Sequence, residues 1–241
     1  LSKYKNNNSI LYYDHNIIFS DVRGNIIFFS KKLNKEIYKF NFYKKKFKKI
    51  EKNLNLFVKN NIIYVSDNLG YLYALNFKSK KVVWAKNYKI PFRSNLKVEK
   101  GKIFASNLNN DLFVFNQNSG EIVKRIPTEP IIVNNVFKNN IALNKNLLFF
   151  LNSYGSLYAV DLENFNVKWF INLNQSSNLN PSNLFLGNQI IYSKKKIIVS
   201  SNFQTYIINS ETGTILYKKN FSSTINPIVN NEYLFLITKN N

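Results

Sequence analysis

An internal repeat, turn residues that recur with it, and strands rich in β-branched and aromatic residues together predict an all-β fold for this chain of 241 residues. That fold is a β-propeller of four-stranded blades. The repeat is plainest where residues 61–75 align without a gap on residues 146–160. In both copies an apolar strand leads to a polar turn ending in glycine, Gly70 or Gly155. A second apolar strand then closes on Leu72-Tyr73-Ala74 or Leu157-Tyr158-Ala159. A tryptophan follows ten residues after each alanine, at Trp84 and Trp169.

Weaker copies begin near Asn16 (turn Gly24, aromatic Tyr38), near Lys102 (turn Asn110, with Lys124 in the tryptophan place) and near Lys196 (Gly213, then Tyr217). Positions 38, 84, 124, 169 and 217 are spaced by about 40–48 residues, the period of one blade. In this register five periods are complete, at about 9–42, 54–88, 93–127, 139–173 and 188–220. A sixth runs from 226 to 241, so the chain reads as a single, incomplete propeller domain.

Within the best-marked period, strands are expected at 54–60, 62–67, 71–77 and 82–88, where β-branched and aromatic residues cluster. The turns between them carry the chemistry such turns need. Asp67-Asn68-Leu69-Gly70 and Asn118-Ser119-Gly120 supply residues that tolerate positive φ. No segment keeps a helical period. The near-continuous apolar strands suit sheets covered on both faces.

Composition limits the alternatives. With 45% apolar residues, 7 Gly and 5 Pro, the chain can bury a core and is neither collagenous nor linker-like. No apolar run approaches the roughly 20 residues of a membrane helix. The sequence does not begin with Met and shows no charged-then-apolar leader, so it is read as a fragment or a processed form. It has no Cys, which excludes disulfides and thiolate sites within this stretch. The net charge of +21 invites a nucleic-acid reading. Yet the basic residues are nearly all Lys, with only Arg23, Arg93 and Arg125, and Lys, Asn, Ile, Phe and Tyr dominate throughout. Those five have A- and T-rich codons, whereas phosphate-reading surfaces recruit Arg; no nucleic-acid partner is expected.

The motif Tyr73-Ala74-Leu75…Trp84, repeated as Tyr158-Ala159-Val160-Asp161…Trp169, resembles the tryptophan-docking motif of the quinoprotein-like propellers. The resemblance implies that Trp84 and Trp169 close the outer strand and pack between blades. Tyr38 and Tyr217 would be aromatic substitutes, and Lys124 a departure that leaves its blade poorly stapled. The Thr-Gly that usually precedes the last strand survives at Thr212-Gly213, and nearly so at Ser119-Gly120. Over most of the chain, and above all at 67–75, 84–95 and 150–159, the sequence is similar to the BamB family of outer-membrane assembly lipoproteins, in a form from an A- and T-rich α-proteobacterium. Members have eight blades, so the resemblance places further blades outside this chain. It also implies a periplasmic location at the outer membrane.

Catalytic chemistry is sparse. The 13 carboxylates are scattered, and Asp67, Asp111 and Asp161 fall at turns or strand ends. His15, the single histidine, adjoins Asp14 in a turn and cannot build a triad or a multi-histidine metal site. No phosphate loop or nucleophile elbow occurs. No catalytic residue, cofactor or metal is therefore expected. The enzymatic alternative is a quinone-cofactor dehydrogenase whose active site lies in blades outside this chain.

A binding surface is the better expectation. Turns from second to third strands share one face with the inter-blade loops, of which 43–53, 128–138 and 174–187 are longest, and long loops on one face carry function. The first contains Lys44, Lys45, Lys46, Phe47, Lys48 and Lys49, read either as a solvated lysine loop or as a contact for an acidic protein domain or anionic lipid. Arg93 either ties one blade to the next through its guanidinium or touches a partner. The resemblance names that partner as the periplasmic POTRA domains of the outer-membrane insertase, and it leaves peripheral membrane association open.

Overall fold

The computed structural model describes residues 6–43, 47–131, 137–174, 184–201, 204–221, 223, 226–230 and 233–237. Among them there is no α-helix. The first sheet contains β1 (Asn6–Tyr13), β2 (Asn16–Asp21), β3 (Asn25–Ser30) and β4 (Lys35–Asn41). The second contains β5 (Leu54–Lys59), β6 (Ile62–Asp67), β7 (Tyr71–Asn76) and β8 (Lys81–Asn87). The third is built from β9 (Lys97–Glu99), β10 (Lys102–Ser106), β11 (Leu112–Asn116) and β12 (Ile122–Ile126). The fourth has β13 (Asn140–Leu143), β14 (Leu147–Leu151), β15 (Ser156–Asp161) and β16 (Val167–Asn172). The fifth has β17 (Ile191–Ser193), β18 (Lys196–Ser200), β19 (Thr205–Asn209) and β20 (Ile215–Lys219), and the hairpin β21 (Ile228–Asn230) with β22 (Tyr233–Phe235) follows. In every sheet the spatial order is the chain order.

Turn chemistry explains why consecutive strands pair. Four of the five hairpins between first and second strands turn on two residues with positive φ: Asp14-His15, Asn60-Asn61, Lys100-Gly101 and Lys194-Lys195. This mirror-image turn matches the right-handed twist of the strands it joins. Asn supplies it cheaply; the lysines carry strain there. Asp14 and His15 are both exposed at such a turn.

Contacts divide the chain into two compact units, Leu1–Leu108 with Val114–Val123, and Asn109–Phe113 with Lys124–Asn241. The division runs through the third sheet. In the first unit Ile18, Ile26 and Phe28 of the first sheet pack with Leu54, Ile63 and Val65 of the second. In the second unit Phe149, Leu157 and Ala159 of the fourth sheet pack with Ile197, Val199 and Tyr206 of the fifth.

The strands of a sheet are not equally covered. Second and third strands are buried almost throughout, as in β6 and β7. The fourth strand is largely exposed, and in β8 only Trp84 is half-buried. The near-continuous apolar strands implied sheets covered on both faces. That pattern overlooked that a fourth strand is an edge, which Lys35, Lys39, Lys81, Lys86, Lys168 and Lys219 keep charged against edge-to-edge pairing.

Candidate functional site

Many of the repeat residues meet at the turn joining third to fourth strands. In the second to fifth sheets it opens on an Asn or Asp whose side-chain oxygen accepts nearby backbone N–H groups, and in the first on Ser30, whose hydroxyl accepts the Leu33 N–H. Asn116 takes Asn118 at 2.8 Å and Ser119 at 3.2 Å, Asp161 takes Glu163 at 2.8 Å, and Asn209 takes Glu211 at 2.8 Å and Thr212 at 3.2 Å. It closes on a residue with positive φ, namely Asn34, Lys80, Gly120, Phe165 or Gly213. Where that residue is glycine, a tryptophan lies on it. A Cβ at Gly120 would stand 2.5 Å from the Trp84 ring, and one at Gly213 would stand 2.8 Å from the Trp169 ring. Each indole N–H donates to a carbonyl of the same turn at 3.1 Å, Trp84 to Gln117 and Trp169 to Ser210.

Register accounts for the alanines. Ala74 lies opposite Trp84 and Ala159 opposite Trp169, and in both sheets the register shifts by a bulge directly after that pair. The bulge bends the edge strand, and the small cross-strand neighbour leaves room for the indole. The tyrosines at this position face larger residues, Phe28 opposite Tyr38 and Ile207 opposite Tyr217. Tyr38 meets Lys80 in the glycine place, with Nζ 5.0 Å from its ring centroid, a cation–π contact replacing the close approach. Tyr217 is 47% exposed, with the Lys219 ammonium 5.7 Å from its ring centroid. Lys124 is exposed.

The turn from second to third strand is the second recurring device. Asp21, Asp67 and Asn152 are buried there. One side-chain oxygen of each accepts two backbone N–H groups: Arg23 and Asn25, Leu69 and Tyr71, Tyr154 and Ser156. Their backbone carbonyls take the N–H groups of Gly24, Gly70 and Gly155. A carboxylate adds a second acceptor. Oδ2 of Asp21 takes the Asn25 amide at 2.7 Å, and Oδ2 of Asp67 takes the Tyr43 hydroxyl at 2.5 Å. Burial raises the Asp67 carboxyl above the usual range, against the pull of hydrogen bonds from Tyr43, Tyr71 and Leu69. Burial also raises the Tyr43 and Tyr73 hydroxyls, and the Asp67 charge adds to both shifts.

Over this cluster lies the described part of the first long loop. Arg23 Nη1 donates to the Lys48 carbonyl at 2.7 Å, and the Lys52 N–H donates to Val22 at 2.9 Å. The Asn68 amide donates to Glu51 at 3.0 Å and accepts the Asn53 N–H at 2.8 Å. Lys52 is 2% exposed; its ammonium donates to the Phe47 carbonyl and lies 5.3 Å from the Tyr43 ring centroid. Burial, then the Arg23 charge, lowers its pKa, while Asp21 and Asp67 oppose the shift. Phe47 is half-buried edge-on against Tyr43 and Tyr71. Lys48, Lys49 and Ile50 project outward. Lys44, Lys45 and Lys46 lie outside the described residues.

Arg93 is 8% exposed. Its N–H donates to Ser106 at 2.9 Å and its guanidinium to the Leu108 carbonyl at 3.0 Å. Both bonds run to β10 and the turn that follows it, within the third sheet. In the second unit, loop 128–131 is held in a similar way. Thr128 donates to the Asn110 carbonyl at 2.5 Å, the Glu129 N–H donates to the Tyr158 hydroxyl at 3.1 Å, and the Ser156 hydroxyl donates to the Glu129 carboxylate at 2.6 Å. Among the described residues no group of three His, Cys, Asp or Glu could hold a metal ion.

A family model described as outer membrane protein assembly factor BamB matches residues 29–241. The chain belongs to this family. The structure is similar to that of BamB from Moraxella catarrhalis, with a TM-score of 0.75 and 14% identity over 91% of this chain and 66% of that one. It is also similar to the computationally designed Ika8 protein, with a TM-score of 0.73 and 9% identity over 93% of this chain and 65% of that one. The chain thus spans about two thirds of either structure. No curated protein matches the sequence. With its successive four-stranded antiparallel sheets, this BamB-family chain has the β-propeller fold.

The repeat exposed the tryptophans, the alanines and the turn glycines of this BamB-family chain. Sequence reasoning missed the Tyr43–Asp67 pair and the buried Lys52. One signal was available: an Asp or Asn three residues before Gly24, Gly70 and Gly155 marks the turn-opening acceptor.

Proposed function

We propose that the chain is a non-enzymatic scaffold acting in outer-membrane β-barrel assembly on the periplasmic side, with the POTRA domains of the insertase as its protein partner. The match of the BamB-family model over residues 29–241 carries this reading. The geometry supplies a means. Tryptophans locked on glycine turns and Asx-capped hairpins hold the loops in place, so less loop entropy is lost on binding. In the second unit, loop 128–131 is fixed through Thr128 and Glu129 while Pro130 stays exposed. We assign the protein-facing role to this loop.

The test uses the full-length protein with a photo-crosslinker in place of Pro130, followed by capture from membranes. Crosslinks to barrel-assembly components are expected. Their absence at Pro130 together with no enrichment of those components would overturn the reading. Titration with a quinone cofactor and calcium checks the enzymatic alternative, for which saturable binding and dye-linked oxidation would be decisive.

A further inference from the structure

We propose that the exposed surface formed by Lys48, Lys49, Ile50 and Lys89, over the first two sheets, binds the anionic headgroup layer of a phospholipid bilayer. This surface lies within the first unit and stands independently of the assembly reading.

The four residues are brought together by the backbone. The loop carrying Lys48, Lys49 and Ile50 is tied at one end to the turn at Val22-Arg23 and at the other to Asn68. Lys89 follows Tyr88, whose N–H donates to the Gly70 carbonyl at 2.8 Å, so its backbone lies against the same Asn68–Gly70 turn. All three lysines are exposed, and none forms an ion pair with a described residue. Ile50 stands among them at 45% exposure. The nearby carboxylates do not cancel this charge evenly. Asp21 and Asp67 are buried and taken up by turn N–H groups, which leaves Glu51 as the exposed acid of the loop.

The chemistry left outside favours lipid over a folded acidic protein. Protein interfaces are depleted in Lys and centred on Arg, Tyr and Trp anchors. Here the guanidinium of Arg23 reaches the Lys48 carbonyl, while Tyr43, Phe47 and Tyr71 pack beneath the loop. What remains is ammonium groups on long flexible stems around one aliphatic side chain. Ammoniums pair with phosphates without directional demands, and an aliphatic tip enters the headgroup boundary. The pinned backbone separates this surface from a freely solvated lysine loop, because the ties to Val22, Arg23 and Asn68 leave little backbone ordering to be lost on binding.

Co-sedimentation of the chain with phosphatidylcholine vesicles, with and without phosphatidylglycerol, tests the proposal. Binding is expected only to the anionic vesicles and should weaken with salt. The variant K48Q/K49Q/K89N should bind roughly 100-fold more weakly, at about fivefold per charge. Removing the same charge from the fourth strands in K35Q/K39Q/K81Q should change binding by less than about twofold, since those lysines lie on β4 and β8 and not on the loop. In I50W the emission of the added tryptophan should shift to the blue on anionic vesicles. Unchanged circular dichroism checks that both triple variants fold. Equal losses in the two triple variants would reduce the effect to net charge and overturn the proposal, as would no binding or no blue shift. Retained vesicle binding in K48Q/K49Q/K89N with lost capture of an acidic protein would assign the surface to that protein instead. Vesicles contain no protein, so a failure of the assembly reading leaves this result intact.

Discussion

Replacing Gly120 with alanine asks the sharpest question of the docking geometry. Two penalties act together. The residue has φ +74, a conformation that costs a residue with a Cβ about 1 kcal/mol. The new Cβ would also stand 2.5 Å from the Trp84 ring, and overpacking of this kind costs about 1–3 kcal/mol. If the indole moves away, its hydrogen bond to Gln117 is lost as well, worth about 1 kcal/mol. The expected destabilisation is about 4 kcal/mol, or a fall in Tm of roughly 10 °C for a chain of this size. Gly101 provides the control. It has φ +72 with nothing within 4 Å of an added Cβ, so G101A should show the backbone strain alone, about 1 kcal/mol. Urea unfolding followed by circular dichroism measures both. The double variant W84A/G120A decides the cause, because without the indole the alanine should again cost only about 1 kcal/mol. A coupling below about 0.5 kcal/mol, or equal costs for G101A and G120A, would mean that Trp84 does not rest on Gly120 and would refute the reasoning.

Asp67→Ala should destabilise by about 3 kcal/mol, since it strands the N–H groups of Leu69 and Tyr71 and the Tyr43 hydroxyl. Asp67→Asn, which keeps the acceptor that Asn152 uses in its own turn, should lose about 1 kcal/mol by the same urea assay. The folded pKa of Asp67 is raised by burial, so between the unfolded value of about 3.9 and that higher value the native state binds more protons than the unfolded one. Stability therefore falls as pH rises through this window, and wild type should gain on Asp67→Asn as pH is lowered from 7 into it; a constant difference would remove the burial argument. Arg93→Ala should cost about 2 kcal/mol by thermal unfolding, through lost packing and an orphaned Leu108 carbonyl, and should leave partner capture unchanged. Trp169→Ala should cost about 3 kcal/mol by the same thermal assay, because its indole packs on the Gly213 turn and donates to the Ser210 carbonyl.

The sequence by itself determined the all-β class, the blade-length period and the aromatic-and-glycine pairing. Each of these rests on local periodicity: β-branched strands, Asx and Gly turns, and an indole at a constant distance from an alanine. Strand positions in the second sheet agree with the expected ones to within a residue, because Asn60-Asn61 and Asp67–Gly70 punctuate them unmistakably. Tertiary structure alone decided which partner each group meets. Asp67 looked like an ordinary turn residue, and only packing brings Tyr43 to its second oxygen, 24 positions away in the chain. Lys52 belonged to a lysine-rich stretch whose sign was plain. Its burial among Asp21, Arg23 and Asp67 was not, since burial depends on three segments converging. Trp84 and Tyr38 fill the same repeat position, yet Trp84 rests on Gly120 whereas Tyr38 meets Lys80. Periodicity encodes what each segment is, and the approach of distant segments decides what it does.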